Sequence, residues 1–207
     1  MKIKVCGMRD SKNISGLLNL KPDFIGFIFY DKSKRFVTDF PQIEIPFSTK
    51  KVGVFVNETI DKLLKKVVDY QLDCVQLHGN ESLEYCQILR HSELVSESFE
   101  IIKVFSVDDD FDFSKTNVYQ KVCDYFLFDT KGKNYGGNGV KFNWDLLKNY
   151  KGKTPFLISG GISKNDAEEI KKFNHPAFLG VDINSGFEIE PALKNTNEIK
   201  EFKSALL

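Results

Sequence analysis

Two ionisable residues, Cys6 and Asp129, each stand at the end of a short apolar run and are suited to exchange protons with a substrate. Cys6 precedes Gly7, and the helix expected just beyond this turn is predicted to lower the thiol pKa from about 8.5 and make it a base. Asp129 follows aromatic and aliphatic residues, where loss of solvent favours the protonated form that a general acid needs. Each residue has a structural alternative, a buried thiol for Cys6 and a helix N-cap for Asp129. As a pair they predict proton-transfer chemistry that needs no cofactor and no metal ion.

Two glycine-containing turns later in the chain are suited to bind phosphate. Gly160 and Gly161 follow one apolar run and precede Ser163, which opens a predicted helix, while Ser185 and Gly186 follow the next run. Glycine lets backbone N–H groups approach phosphate oxygens closely, and helix N-termini favour anions. Barrel enzymes often build a phosphate site after their last two strands, so the two turns together predict a small phosphorylated substrate.

Three other features have both a binding and a structural interpretation. Arg35 lies in a basic turn and is suited to hold a substrate carboxylate, although such turns are commonly just solvated. His78 ends an apolar run, where it either contacts substrate or makes a structural hydrogen bond. The glycine-rich stretch 131–139 after Asp129 suits a lid that closes over substrate, or an ordinary surface loop.

The elements that must position these residues follow a repeating pattern. Eight short runs rich in β-branched and aromatic residues are nearly continuously apolar, as in parallel strands that are buried on both faces. They cover residues 3–6, 24–29, 52–56, 74–77, 101–105, 125–128, 156–159 and 178–181. Stretches with helical period lie between most of them, at 10–20, 59–70, 82–89, 143–150, 163–173 and 197–206. This alternation predicts an α/β fold, a small single-domain (β/α)8 TIM barrel over residues 1–207. A doubly wound open sheet is the alternative, and the absence of a GxGxxG motif after the first run disfavours it.

Two segments interrupt the pattern. Residues 38–50 contain Pro41 and Pro46, and proline inside a helix costs about 3 kcal/mol, so the second helix is predicted to be shortened or irregular. Residues 91–100 form a polar, acidic extension before the fifth strand, to which the sequence assigns no function.

Composition excludes several classes of protein. The 207 residues carry 29 Lys plus Arg against 29 Asp plus Glu, a balance that argues against nucleic acid or an anionic membrane as partner. No apolar run approaches the roughly 20 residues of a membrane span, and the start of the chain shows no signal peptide. Four cysteines without a CxxC pair predict neither a zinc site nor a disulfide framework. A reduced, cytoplasmic, soluble protein is expected.

Seven sequence blocks, in the same order and spanning nearly the whole chain, resemble the phosphoribosylanthranilate isomerase family of tryptophan biosynthesis. They are Lys4-Val5-Cys6-Gly7-Met8; Asp23-Phe24-Ile25-Gly26-Phe27-Ile28-Phe29 with Ser33-Lys34-Arg35-Phe36-Val37; Gly53-Val54-Phe55-Val56-Asn57; Val75-Gln76-Leu77-His78-Gly79; Asp129 with Gly136-Gly137-Asn138-Gly139; Ser159-Gly160-Gly161-Ile162; and Asp182-Ile183-Asn184-Ser185-Gly186-Phe187-Glu188.

The resemblance implies a cofactor-independent isomerase of the aldose–ketose type. It would perform the Amadori rearrangement of N-(5'-phosphoribosyl)anthranilate to 1-(2-carboxyphenylamino)-1-deoxyribulose 5-phosphate, the third step from chorismate to tryptophan. By the same resemblance Asp129 is the general acid, Cys6 the general base and Arg35 the ligand of the anthranilate carboxylate. The remaining implied contacts are phosphate binding by Gly160, Gly161, Asn184, Ser185 and Gly186, and contacts of Asp182 and His78 with the ribose or the anthranilate. The sequence leaves open whether the protein is a monomer or a homodimer.

Two other functions are compatible with the phosphate turns. A barrel lyase like indole-3-glycerol phosphate synthase would need a lysine acid and a glutamate base at strand ends, where this chain has Cys6 and Asp129. A non-catalytic barrel that binds a phosphate ligand would keep the glycines but would not need both Cys6 and Asp129. The residues between Asp129 and Gly136, the irregular segment 38–50 and the extension 91–100 depart from the family pattern, and the first of these leaves open how the loop closes.

Overall fold

The eight apolar runs form eight parallel strands that close into a barrel in chain order, so the predicted (β/α)8 architecture is confirmed. The computed structural model describes residues 1–92, 99–132 and 141–207. The barrel strands are β1 Lys2–Val5, β2 Phe24–Ile28, β3 Lys50–Phe55, β4 Cys74–Leu77, β5 Glu100–Val107, β6 Tyr125–Thr130, β7 Phe156–Ile158 and β8 Phe178–Ile183. Pairing of β1 with β8, which sets Lys4 opposite Asp182, closes the ring.

Helices cover the outside of the barrel where the sequence has an apolar stripe. They are α1 Ser11–Leu18, α2 Ile60–Tyr70, α3 Leu83–Arg90, α4 Ala167–Lys172 and α5 Thr196–Leu206. A 3-10 turn, Lys164–Asp166, precedes α4, and Ser163 with Asp166 forms a capping box at its start. Among the described residues no helix is both long and apolar enough to cross a bilayer.

Three connections differ from a regular helix. Residues 38–49 contain no helix, as their prolines predict. The predicted helix at 143–150 is instead a 3-10 helix, Trp144–Asn149, and a second one, Phe113–Tyr119, lies between β5 and β6. A 3-10 helix rises about 2.0 Å per residue, more than an α-helix, so it lets a short segment span the distance between strands. After β8, a small hairpin of β9 Glu188–Glu190 and β10 Leu193–Lys194, which the sequence did not indicate, adds a two-stranded sheet.

Alternation along the strands places the polar site above an apolar layer. A cluster of seven buried strand residues packs together, and it comprises Phe24, Val52, Cys74, Ile102, Val104, Leu127 and Leu157. Side chains two positions apart on a strand point the same way. Gln76, two residues after Cys74, and Asp129, two residues after Leu127, therefore face the barrel axis near the carboxyl ends of the strands. Polar side chains there meet a cavity instead of the packed layer below.

Candidate active site

A cavity of about 640 Å³ opens at the carboxyl ends of the strands, where (β/α)8 barrels carry their active sites. All ten residues that the sequence singled out line it: Cys6, Arg35, His78, Asp129, Gly160, Gly161, Asp182, Asn184, Ser185 and Gly186. The fold therefore brings together one thiol, two carboxylates, an imidazole, a guanidinium and two glycine turns that lie far apart in the sequence.

Cys6 lies at the mouth of the barrel directly after β1, and its backbone N–H donates to the carbonyl oxygen of Ile183 at 2.9 Å. The expected fall in the thiol pKa is not found. Burial raises the pKa of the Cys6 thiol, and the positive charges of Lys4 and Lys194 only partly oppose this. A sequence cannot report how far a thiol is withdrawn from water, and Cys6 is only 4% exposed.

Lys4, which sequence reasoning missed, is a fully buried lysine inside the barrel. Its ammonium nitrogen lies 3.0 Å from the Asp182 carboxylate, across the β1–β8 pairing. Burial disfavours the ammonium ion, yet the negative charges of Asp182 and Cys6 hold the pKa of Lys4 above its ordinary value. The predicted substrate ligand Asp182 is therefore engaged by an internal cation.

Asp129, His78 and Gln76 form a chain of side chains in the wall of the cavity. His78 Nε2 lies 3.3 Å from Asp129 Oδ2, and His78 Nδ1 lies 3.0 Å from Gln76 Nε2. When the Gln76 amide donates to Nδ1, the proton of the neutral imidazole sits on Nε2 and points at Asp129. His78 is thus placed to hold the Asp129 carboxylate after it has released a proton.

The turn that carries His78 is fixed by a buried ion pair that the sequence did not indicate. Glu81 accepts hydrogen bonds from the backbone N–H groups of Asn57 at 2.9 Å and Gly79 at 3.0 Å. Its third partner is Lys103 at 2.8 Å, which also donates to the Gly79 carbonyl oxygen at 2.8 Å. Because both side chains are almost fully buried, the pair sets the position of the turn.

Replacing Glu81 with Gln is expected to lower the free energy of unfolding by about 3 kcal/mol, because it leaves the Lys103 charge buried without its anion. Urea titration measures this change. The matched control is Asp145→Asn, which removes an exposed ion pair with Lys148 and should cost less than about 1 kcal/mol. Equal midpoints for both variants would show that the buried pair is not what stabilises this turn.

Arg35 reaches the cavity mouth but is held by an internal carboxylate. Its Nε and Nη2 atoms donate to the two oxygens of Glu188 at 2.8 and 2.6 Å. Lys194, buried in the β9–β10 hairpin, donates to the same Glu188 at 2.6 Å and to Asn184 at 2.9 Å. A substrate carboxylate must therefore share Arg35 with Glu188 or displace it, and Lys194 stays as a partner for Glu188 in either case.

Glycine is required where these groups crowd together. Gly7 has a φ of +74°, and a Cβ there would lie 2.6 Å from Arg35 Cδ and 2.8 Å from Asn184 Oδ1. The turn after β1 is therefore packed closely against the side chains of Arg35 and Asn184.

The two predicted phosphate turns lie side by side. Gly160 and Gly161 have φ values of +92° and +65°, a region that favours glycine. A Cβ on Gly160 would lie 2.7 Å from the Thr130 backbone nitrogen, and one on Gly186 would lie 2.1 Å from the Ile162 carbonyl oxygen. The second contact shows that the loops after β7 and β8 touch, so both turns line the same part of the cavity.

Part of the predicted site lies outside the described residues. The predicted lid at 131–139 is described only to residue 132, and most of the extension 91–100 is likewise not described. In the described ranges no cluster of three or more His, Cys, Asp or Glu side chains is arranged to hold a metal ion.

Comparison with known proteins gives one consistent result. Residues 3–205 match the family described as N-(5'phosphoribosyl)anthranilate (PRA) isomerase. The N-(5'-phosphoribosyl)anthranilate isomerase of Parabacteroides distasonis is 49% identical over 216 residues, covering 100% of this chain and 94% of that one. That of Phocaeicola vulgatus is 42% identical, with 100% and 98% coverage.

Solved structures agree with the sequence relatives. Phosphoribosyl anthranilate isomerase from Thermotoga maritima superimposes with a TM-score of 0.83 at 31% identity, over 100% of this chain and 98% of that one. A second isomerase structure, 28% identical with a TM-score of 0.81 and the same coverage, is a complex with reduced 1-(o-carboxyphenylamino)-1-deoxyribulose 5-phosphate.

Proposed function

Since this chain belongs to the N-(5'-phosphoribosyl)anthranilate isomerase family, we propose that it rearranges N-(5'-phosphoribosyl)anthranilate to 1-(2-carboxyphenylamino)-1-deoxyribulose 5-phosphate, with Asp129 as acid and Cys6 as base. The observation that carries the assignment of roles is the cavity. It places a carboxylic acid and a thiol in one pocket whose far end is bordered by two glycine turns.

The reaction begins with a proton delivered to the furanose ring oxygen and a proton removed from C2', two atoms that are both bonded to C1'. Asp129 donates its proton to the furanose ring oxygen, the C1'–O bond breaks, and the anthranilate nitrogen supplies the electron pair for a Schiff base. Cys6 then removes the proton from C2', and the electrons of that bond neutralise the iminium nitrogen to give an enolamine. Loss of the hydroxyl proton at C2' and gain of a proton at C1' complete the ketone, so no proton is gained or lost overall.

The surroundings suit this division of roles. Asp129 is only 4% exposed and faces His78, which can hold the carboxylate once its proton has left. The glycine turns would bind the phosphate at one end of the cavity, and Arg35 would bind the anthranilate carboxylate at the mouth. Asp182 would face the ribose, beside Lys4.

The competing functions are less compatible with the site. None of the described residues that line the cavity is a glutamate, the base that an indole-3-glycerol phosphate synthase would need. A protein that only binds a phosphorylated ligand has no use for a buried thiol and a carboxyl side chain in the same pocket.

Anthranilate fluorescence tests the function. N-(5'-phosphoribosyl)anthranilate is fluorescent, and its conversion by the purified chain should abolish that signal while a product of identical mass accumulates. An unchanged signal with folded protein would overturn the proposed isomerase activity. Binding without conversion, measured by equilibrium dialysis, would favour the binding-protein alternative.

Replacing Arg35 with Met should raise KM about 10- to 100-fold with little change in kcat, because a charge-assisted pair to the substrate carboxylate contributes about 1.5–3 kcal/mol to binding. Steady-state kinetics provide the measurement. Arg90→Met is the control, because Arg90 contacts Val122 and Asp124 away from the cavity and should leave KM unchanged. If Arg35→Met also leaves KM unchanged, the carboxylate is bound elsewhere.

A crystal soaked in sulfate should show an anion within hydrogen-bonding distance of the Gly160–Gly161 and Ser185–Gly186 amides, because these N–H groups border one end of the cavity. Added inorganic phosphate should displace it. An anion that instead binds only surface lysines would contradict the phosphate assignment.

The domain organisation, location, partners and oligomeric state expected for this protein are those of such an isomerase. Residues 1–207 would form one barrel domain that acts in the cytoplasm on a small phosphorylated substrate, without a metal or redox cofactor and without nucleic acid or membrane partners. A relative from Thermotoga maritima, 28% identical, is described as a dimer from which monomers were generated. For this chain a monomer or a homodimer is expected, and light scattering distinguishes the two.

A further inference from the structure

Lys4 lies beside the sulfur of Cys6, and its place in the barrel gives it a role in the reaction. We propose that Lys4 is a positioning residue that stabilises the Cys6 thiolate during proton abstraction, with Asp182 holding Lys4 in place. This inference rests on the proposed role of Cys6 as base, but its test measures ionisation of the thiol and needs no turnover.

The first support is the geometry of three strands. Lys4 lies on β1 two residues before Cys6, which directly follows the strand and continues its pairing with β8 through Ile183, so both side chains point the same way. Its ammonium nitrogen lies 3.0 Å from Asp182, and its positive charge acts on the Cys6 thiol. Gly26 on β2 leaves the space they need, since a Cβ there would lie 2.8 Å from the sulfur and 3.2 Å from the Lys4 nitrogen.

The second support is the cost of keeping this lysine inside. Lys4 is 0% exposed, and a buried ammonium without partners would lose several kcal/mol of hydration. A packed apolar residue would fill the same volume without that cost. The Asp182 carboxylate alone would pair the charge, so the placement of the ammonium beside Gly26, where the Cys6 sulfur also lies, needs another reason. A thiolate supplies one.

The other charges around Cys6 do not replace Lys4. Lys194, from the β9–β10 hairpin, and Arg35, from the turn after β2, also act on Cys6, but both donate to Glu188 at 2.6 Å. Asp182 on β8 opposes ionisation of the thiol, and Asp129 and His78 act on Asp182. Of these three cations, Lys4 is therefore the one that is paired with Asp182 instead of Glu188 and that lies beside Gly26 with the sulfur.

The arrangement accounts for the change of charge during the reaction. When the Cys6 thiolate takes the C2' proton it becomes a neutral thiol, while the substrate iminium becomes a neutral enolamine. Lys4 then retains Asp182 as its anion, so no buried cation is left unpaired at this step. Before the step, Lys4 offsets part of the rise in the Cys6 pKa that burial causes.

The rate of Cys6 alkylation by iodoacetamide, followed against pH by peptide mass spectrometry, tests the proposal, because only the thiolate reacts. In Lys4→Met the curve should move to higher pH by at least one unit, with alkylation at pH 8 about tenfold slower than in the wild type. Lys103→Met is the matched control, because it also removes a buried barrel lysine that is paired with a carboxylate, and its curve should coincide with that of the wild type. Coincidence of the Lys4→Met and wild-type curves would overturn the proposal.

A second measurement does not depend on the folding of Lys4→Met. Coupling between two titrating groups is reciprocal, so if Lys4 stabilises the thiolate, the thiolate must raise the pKa of Lys4. With 13C-labelled lysine, the Cε resonance of Lys4 should titrate at lower pH in Cys6→Ser than in the wild type. An identical titration would refute the pairing. An inactive wild type that still shows both shifts would overturn the proposed function and leave the Lys4–Cys6 pairing intact.

Discussion

Asp129→Asn is expected to lower kcat by about 10²- to 10⁴-fold, the range that a positioned general acid contributes. The amide has the shape of the carboxylic acid and can still donate a hydrogen bond to the ring oxygen, but it cannot transfer a proton to it. Ring opening would then have to take its proton from water. KM should change much less, because binding relies on the phosphate turns and on Arg35.

The control for this substitution is Asp145→Asn, the same change at an exposed position beside Lys148. It should leave kcat unaltered. If Asp129→Asn retained the wild-type kcat, ring opening would not depend on Asp129, and His78 would be the next candidate for the acid because it lies 3.3 Å from that carboxylate.

Cys6→Ser is expected to cause a loss of similar size, about 10²- to 10⁴-fold in kcat. A serine hydroxyl fits the position of the thiol, but it ionises at much higher pH and stays neutral even beside Lys4. Proton removal from C2' therefore loses its base. The fluorescence assay gives the rate, and Cys123→Ser provides the control because Cys123 lies outside the cavity.

A further outcome separates a catalytic effect from a structural one. Cys6→Ser should bind substrate about as well as the wild type, since the thiol is not a phosphate or carboxylate ligand. Wild-type turnover by Cys6→Ser would contradict the role of base, whereas a loss of binding with unchanged kcat would make Cys6 only a packing residue.

The barrel was predictable because each strand is buried on both faces and so must be apolar along its length. Residues 125–128 illustrate this, with Phe126 and Phe128 fully buried against the helix side and Leu127 fully buried toward the axis. The prolines at 41 and 46 likewise predicted the irregular second connection, because proline acts locally. Burial on both faces and the restriction imposed by proline act on neighbouring residues, so both leave a pattern in the sequence.

Side chains that share the cavity were predictable for a different reason. Parallel strands of a closed barrel all end at one rim, so any residue that follows a strand must lie near the others that do. Cys6 and Asp129 are brought together in this way although more than a hundred residues separate them.

The charged partners of the site were not predictable. Lys4 and Asp182 are 178 residues apart, and Arg35 and Glu188 are 153 apart, so no spacing rule links them. A lysine within an apolar run is usually at an exposed edge. Only the closure of β1 on β8 brings Lys4 next to Asp182 inside the barrel. The one signal was its position two residues before Cys6, on the same face of the strand. The error in the Cys6 pKa has the same origin, because burial is a property of the whole fold.

The acid–base assignment is tested most directly by a single turnover with enzyme in excess over N-(5'-phosphoribosyl)anthranilate, which separates binding from chemistry. The wild type should abolish the fluorescence rapidly. Asp129→Asn, Cys6→Ser and the double variant should bind the substrate and convert it at least about 10²-fold more slowly, and the double variant should be less impaired than the product of the two single losses predicts. Conversion by either single variant at the wild-type rate, or no conversion by the folded wild type, would contradict the assignment.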